Sequence, residues 1–217
     1  MSLKIYSLVV GASQNNVVFL VDESSGDVVI IDPSFEPKEI IEEIQARGWT
    51  PWQIWVTHGH FDHTAGVAAV SRAFEPALPI AMSVEAFEYA CKKLMPAPLH
   101  LQVEDVPQVD IPLKHGDRLA INPLNGEKLV DVRDVSGHSP GSMLFYVPEL
   151  EVAIVGDAIF RESIGRTDLP GSDHKLLLRN IREQIFTLPD QTILIPGHGP
   201  QTTVANEKAN NPFLSLG

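Results

Sequence analysis

Hydrophobic residues in this chain come in short runs broken by turn-forming residues, and the period within each run separates strands from helices. "KIYSLVV", "NVVFLVD" and "DVVIID" are β-rich runs divided by "GASQN" and "ESSG", which predicts an antiparallel meander. After "IDPSFE" the pattern changes. In "PKEIIEEIQARG", Pro37 suits a first helical turn, Ile40, Ile41 and Ile44 form a stripe, and Gly48 suits a stop, so an amphipathic helix is expected. "QIWVT" reads as a buried strand, while "HTAGVAAVSRAF" and "SVEAFEYACKKL" read as helices, the first with small residues that allow close packing on a sheet. The Pro-rich segment from Met95 to Pro112 reads as connecting chain with room for one short edge strand. Strands follow at "DRLAIN", "LVDVRDV", "MLFYVPE" and "EVAIVGD", then a helix at "DHKLLLRNIREQIFTL" and a strand at "TILIP". No internal repeat and no domain boundary interrupts this alternation, so residues 1–217 are read as one domain.

Composition narrows the function classes. A hydrophobic content of 44% with 20% charged residues is that of a globular protein rather than a disordered one. With 16 basic against 28 acidic residues the formal charge is −12 and no Lys/Arg run offsets it, which argues against a nucleic-acid partner. No apolar stretch is long enough for a membrane span or a convincing signal-peptide core, so a cytoplasmic protein without a membrane partner is expected. The single cysteine, Cys91, rules out an intrachain disulfide, and its setting in "EAFEYACKKL" suggests a buried helical thiol.

The chemistry collects where strands end. "WVTHGHFDHTAG" places His58, His60, Asp62 and His63 within six positions after a β-branched, aromatic run, with a glycine between the first two histidines. "VSGHSPGS" sets His138 in a glycine-flanked turn, "AIVGDAIF" sets Asp157 directly after a strand, and "ILIPGHGP" sets His198 in a Gly/Pro turn. Imidazole and carboxylate suit zinc, iron or manganese, and seven such groups exceed what one tetrahedral site can use, so two metal ions are implied. Residues i and i+2 can face the same side in an extended loop but lie about 200° apart on a helix, so His58 and His60 do not form the helical i, i+4 zinc arrangement. Asp62 and His63, at a helix start, can reach a second ion beside the first, and the two oxygens of Asp157 can bridge both. His100, His115 and His174 read as solvated turn residues. Asp32 in "IIDPS" either starts a turn or supports a ligand from behind, and both readings stand.

His58, His60, Asp62 and His63 form the H-x-H-x-D-H motif, and with His138, Asp157 and His198 following in order the chain resembles the metallo-β-lactamase superfamily over essentially its whole length. The resemblance implies a four-layer αββα sandwich with two divalent metal ions, zinc first and iron or manganese as alternatives, at one edge between two sheets. It also implies that His58, His60 and His138 hold one ion, that Asp62, His63 and His198 hold the other, and that Asp157 bridges them. A bridging aspartate is similar to the small glyoxalase II-like, hydroxyacylglutathione hydrolase-like branch and unlike true β-lactamases. "GDAIFRESIGRTDLPGSD" is similar to segments in that branch and in persulfide dioxygenases, and "PGHGPQTTVANEKANNPFL" to the former. The implied activity is hydrolysis of a small acyl thioester, possible substrates including S-lactoylglutathione, with Asp62 and Asp157 in catalytic roles; a lactone or ester hydrolase would use the same centre. Arg161 and Arg166, with Lys175 and Arg179, could offer charge to an anionic substrate. Only Gly199 to Gly217 follow His198, so the C-terminal helical domain of longer glyoxalase II enzymes is not expected, nor is strong glutathione selectivity. The rival reading is a sulfur dioxygenase with one iron on His58, His138 and Asp157, a 2-His-1-carboxylate set; a third is a metal-binding protein without turnover.

Overall fold

The computed structural model describes residues 3–93, 103–124 and 129–214. Strands β1 (Leu3–Val10), β2 (Asn15–Asp22) and β3 (Asp27–Ile31) form the expected antiparallel meander. They are continued in parallel by β4 (Thr50–Trp55), β5 (Ile80–Ser83) and β6 (Ile111–Leu113), giving a six-stranded sheet in the order β1-β2-β3-β4-β5-β6. Helix α1 (Pro37–Arg47) begins with its proline and ends on Gly48 in the left-handed conformation. Helices α2 (Phe61–Thr64), α3 (Val67–Arg72) and α4 (Val84–Cys91) follow.

The second half builds β7 (Arg118–Ala120), β8 (Leu129–Asp134), β9 (Met143–Val147), β10 (Val152–Gly156) and the small hairpin β11 (Ile159–Phe160) and β12 (Ser163–Ile164). After them come α5 (His174–Asn180), running into a π-turn over Ile181–Ile185, then β13 (Ile193–Pro196), β14 (Thr202–Thr203) and α6 (Val204–Asn210). The second sheet has the order β14-β13-β10-β9-β8-β7.

Alternation along β2 explains the layering. Val18 and Leu20 face the second sheet and join Trp55, Val132, Phe145 and Ile154 in a core between the sheets. Val17, Phe19 and Val21 face the other way, onto Ile40 and Ile44 of α1, Val67 and Val70 of α3 and Ala86 of α4. The outer face of the second sheet packs Leu144, Val155 and Leu194 against Leu177, Ile181 and Val204. Each sheet is thus buried on both faces, which is why its strands read as nearly continuous apolar runs. The result is the αββα sandwich. Full burial of one such side chain is worth about 1.5–3 kcal/mol, so these three cores dominate the fold's stability.

Two expectations need correction. Cys91 is exposed: α4 buries Ala86 and Tyr89, and Cys91, two residues beyond Tyr89, lies about 200° around the helix. The helix expected at "DHKLLLRNIREQIFTL" keeps α-geometry only through Asn180. No helix among the described residues is long and apolar enough to cross a membrane.

Candidate metal centre

The two sheets meet at the C-terminal ends of β4, β10 and β13, where His58, Asp157 and His198 follow. Backbone hydrogen bonds from Met143 to Thr57 (2.8 Å) and from Asn16 to Gly197 (2.8 Å) tie the sheets together at this edge. The glycine inside the histidine motif has a steric cause: a Cβ at Gly59 would lie 2.2 Å from the Ala86 carbonyl oxygen, so α4 packs directly on the loop. His60 then serves as the extended N-cap of α2, which carries Asp62 and His63 in its single turn.

The seven sequence-predicted groups come together as two clusters. His60 Nδ1 lies 3.1 Å from His58 Nε2 and 2.9 Å from His138 Nε2. His198 Nε2 lies 3.3 Å from His63 Nε2 and 3.4 Å from Asp62 Oδ2. Asp157 faces both. Its Oδ1 is 3.4 Å from His63 Nε2, and its Oδ2 is 3.6 Å from both His138 Nε2 and His198 Nε2.

Hydrogen bonding behind the rings fixes what these atoms can do. The Thr57 hydroxyl donates to Asp32 Oδ2 (2.6 Å), so it can only accept from His58 Nδ1 (3.0 Å). His63 Nδ1 donates to Asp32 Oδ2 (2.9 Å), His138 Nδ1 to the Arg166 carbonyl (2.9 Å) and His198 Nδ1 to the Ser13 carbonyl (2.8 Å). In their neutral forms four histidines therefore turn an Nε2 lone pair inward, and His60 turns Nδ1 the same way. Lone pairs about 3 Å apart repel unless a cation sits among them, and a tetrahedral ion with bonds near 2.0–2.1 Å spaces its ligands by about 3.3 Å. The donors fit a metal pair. Gly197 keeps the cradle open, since a Cβ there would come within 2.3 Å of Asp157 Oδ1 and 2.5 Å of His63 Cε1.

Asp32, His58 and His63 also cluster, but the Asp32 carboxylate already accepts from Thr57 N (2.7 Å), Thr57 Oγ1 and His63 Nδ1. Of its two readings, these contacts match the one that sets the Asp32 carboxylate behind a motif histidine, here His63. Nothing in the sequence marks Ser13 or the Arg166 carbonyl for this role, since each lies far along the chain from its histidine, and Thr57 is marked only by adjoining His58. Arg166 contributes that carbonyl while its guanidinium pairs bidentately with Asp168 (2.7 and 2.8 Å) in solvent. Arg161 donates to the Gln201 carbonyl (3.0 Å). His115 and His174 are exposed, as expected, and His100 lies outside the described residues.

Protons are held differently in the two clusters when no metal is bound. Burial pushes His58 well below the ordinary imidazole value, with repulsion from His63 and His60 adding to it, and pushes His60 down to about 3. Burial lowers His138 as well. Burial also opposes charge on His63, but Asp157 and Asp32 outweigh it and raise His63 well above the usual value. His198 is raised too, because its hydrogen bond to Asp62 and the charge of Asp157 overcome burial. Asp62 and Asp157 are lowered despite burial, by His198 and His63 respectively and by the imidazoles around them. A metal entering the second cluster must therefore displace the His63 proton, whereas the first cluster is already deprotonated near neutrality. Affinity at the second cluster should rise with pH and metal uptake there should release protons, while affinity at the first should depend much less on pH around neutrality. Calorimetry in buffers of differing ionisation enthalpy checks this; uptake of both equivalents without proton release would contradict it.

Comparison with known proteins agrees with the geometry. The family described as the metallo-beta-lactamase superfamily matches residues 10–198, from the end of β1 to the last histidine of the second cluster. The chain belongs to the metallo-β-lactamase superfamily. Superfamily relatives include the probable metallo-hydrolase YqgX of Bacillus subtilis, 36% identical over 95% of each chain. The hydroxyacylglutathione hydrolase GloC of Haemophilus influenzae is 32% identical, again over 95% of each. Among solved structures, the BLEG-1 B3 metallo-beta-lactamase superposes with a TM-score of 0.87 at 33% identity, covering 98% of this chain and all of that one. The di-iron-bound form of TTHA1623 superposes at 0.83 with 34% identity, covering 96% and 100%. The chain is thus a metal-dependent hydrolase of the metallo-β-lactamase superfamily, with His/Asp clusters that fit a binuclear site.

Proposed function

We propose that this protein is a binuclear thioester hydrolase of the glyoxalase II type, with His58, His60 and His138 holding one metal ion, Asp62, His63 and His198 the other, and Asp157 shared. The observation that carries this reading is the position of Asp157, whose two oxygens face both imidazole clusters. Imidazole and carboxylate ligands suit zinc, and equally iron or manganese. Such a pair, when bound, supplies a hydroxide nucleophile near neutral pH and Lewis-acid polarisation of a carbonyl.

The chain's own residues set the direction of approach. The side chains of His63 and His138 are 1% and 4% exposed, whereas those of His198, Asp62 and Asp157 are 24%, 15% and 11% exposed, so the centre opens on the second-cluster side. Asp32, Thr57 and the carbonyls of Ser13 and Arg166 hold the rings in place, which keeps the site preorganised. With a metal pair bound, both nitrogens of each of those four rings would be engaged, so none of the four could protonate a leaving group. A thioester suits that arrangement because its thiolate is weakly basic and departs without a proton. For an anionic substrate such as a glutathione conjugate, Arg161 and Arg166 are the proposed cationic contacts, each exchanging its present acceptor for the substrate's carboxylate.

The likeness to the BLEG-1 B3 metallo-beta-lactamase favours β-lactam hydrolysis as a second reading. One substrate panel on metal-loaded protein separates the possibilities: S-lactoylglutathione, a lactoyl thioester of a small thiol, a lactone, a β-lactam, and glutathione persulfide with oxygen uptake followed. Thioester hydrolysis should be fastest, and glutathione should improve kcat/KM over the small thiol by less than about a thousandfold, or roughly 4 kcal/mol. Oxygen consumption with persulfide and no thioester cleavage would overturn the assignment.

A further inference from the structure

Two buried polar atoms beside the first cluster, His60 Nε2 and the Tyr89 hydroxyl, have no hydrogen-bond partner among the described residues. His60 turns Nδ1 toward His58 and His138, and with Nδ1 acting as a metal donor its hydrogen is on Nε2, the nitrogen on the far side of the ring. The other four histidines all have an acceptor behind the ring, in Thr57, Asp32, the Arg166 carbonyl and the Ser13 carbonyl. His60 has Tyr89. The two ring centroids are 5.5 Å apart and the planes meet at 65°.

Tyr89 is placed by the same packing that requires Gly59. It lies on α4, the helix seated on the His60 loop, and is 4% exposed. A Cβ added at Gly171 would lie 3.2 Å from the Tyr89 ring and 3.1 Å from Pro140, so Tyr89 fills the space between His60, the loop that carries His138 and the turn before α5. Apolar packing explains the ring. It does not explain the hydroxyl, since phenylalanine would fill the same space and bury no polar atom.

We infer that Tyr89 is the positioning residue of His60: one trapped water accepts both the His60 Nε2–H and the Tyr89 O–H, fixing the tautomer that aims Nδ1 into the cluster. A water has two acceptor positions, which matches two buried donors on neighbouring rings, and buried polar groups that no side chain reaches are commonly satisfied in this way. Groups behind a metal-ligating histidine typically change metal affinity by 10–100-fold when removed. This inference rests on the proposal that His58, His60 and His138 hold a metal ion.

Tyr89→Phe tests it, because the substitution keeps the ring and removes only the hydroxyl. Zinc affinity measured by chelator competition should weaken about tenfold at the first cluster. In the zinc-loaded protein the His60 Nε2–H resonance, followed by imidazole 1H–15N correlation, should shift or exchange faster. Unchanged affinity, or weaker affinity with an unmoved His60 resonance, would overturn the inference. His60→Ala, measured alongside, keeps the two claims apart: if it too retains wild-type zinc affinity, the ligand assignment itself fails.

Discussion

Asp157→Ala should lose both metal content and thioester turnover, with kcat/KM falling at least about a thousandfold, or roughly 4 kcal/mol of transition-state stabilisation. Its carboxylate touches His63 on one side and His138 and His198 on the other. Removing it strips both clusters of an anionic ligand and leaves His63 with Asp32 as its remaining anionic partner. The Asp157 side chain is largely buried and, among the described residues, makes no hydrogen bond to the backbone, so the fold should survive; circular dichroism checks this. Elemental analysis and thioester kinetics together decide the outcome. Near-normal metal content in this variant would remove Asp157 from the shared position.

Asp62→Ala should separate the clusters. Asp62 lies 3.4 Å from His198 Nε2, and its cluster comprises His63 and His198. The first cluster, His58, His60 and His138, contains no atom of Asp62. The variant should therefore keep about one metal ion per chain and lose roughly a hundredfold in rate, about 2.7 kcal/mol, because the second ion's contribution to nucleophile and substrate is gone. A centre that works with one iron on His58, His138 and Asp157 would respond differently, since Asp62 would lie outside its ligands and iron content would be retained. Asp62→Ala with full metal content and unchanged thioester hydrolysis would remove the second cluster from catalysis.

What the sequence made legible follows from the range of the interactions involved. The β1–β3 meander and α1 are encoded locally, by alternation, by Pro37 and by Gly48, and they form where expected. The seven clustered groups were legible because each sits just after an apolar run that ends a strand or in a Gly-rich turn. Strand β5 was not, because "IAMS" is four residues long and owes its place to parallel pairing with β4 and β6. Helix α6 was missed for another reason. "VANEKAN" has little apolar periodicity, and its anchor is the buried Glu207 carboxylate, which accepts from Glu162 N, Thr202 Oγ1, Asn206 Nδ2 and Asn211 Nδ2. Asp32 remained ambiguous because its partners, Thr57 and His63, are 25 and 31 residues away. Tyr89 gave no signal because a tyrosine on an amphipathic helix reads as core, and only its unpartnered hydroxyl against His60 distinguishes it.

The central claim is that both clusters bind metal and act together on a thioester. Its most direct test is to strip the protein with a chelator, return zinc in measured equivalents and follow hydrolysis of S-lactoylglutathione at each step. Activity should stay low through the first equivalent, rise through the second and level off at two ions per chain. Full hydrolytic activity at one equivalent, or no hydrolysis at any loading while one iron per chain supports oxygen uptake with glutathione persulfide, would contradict it.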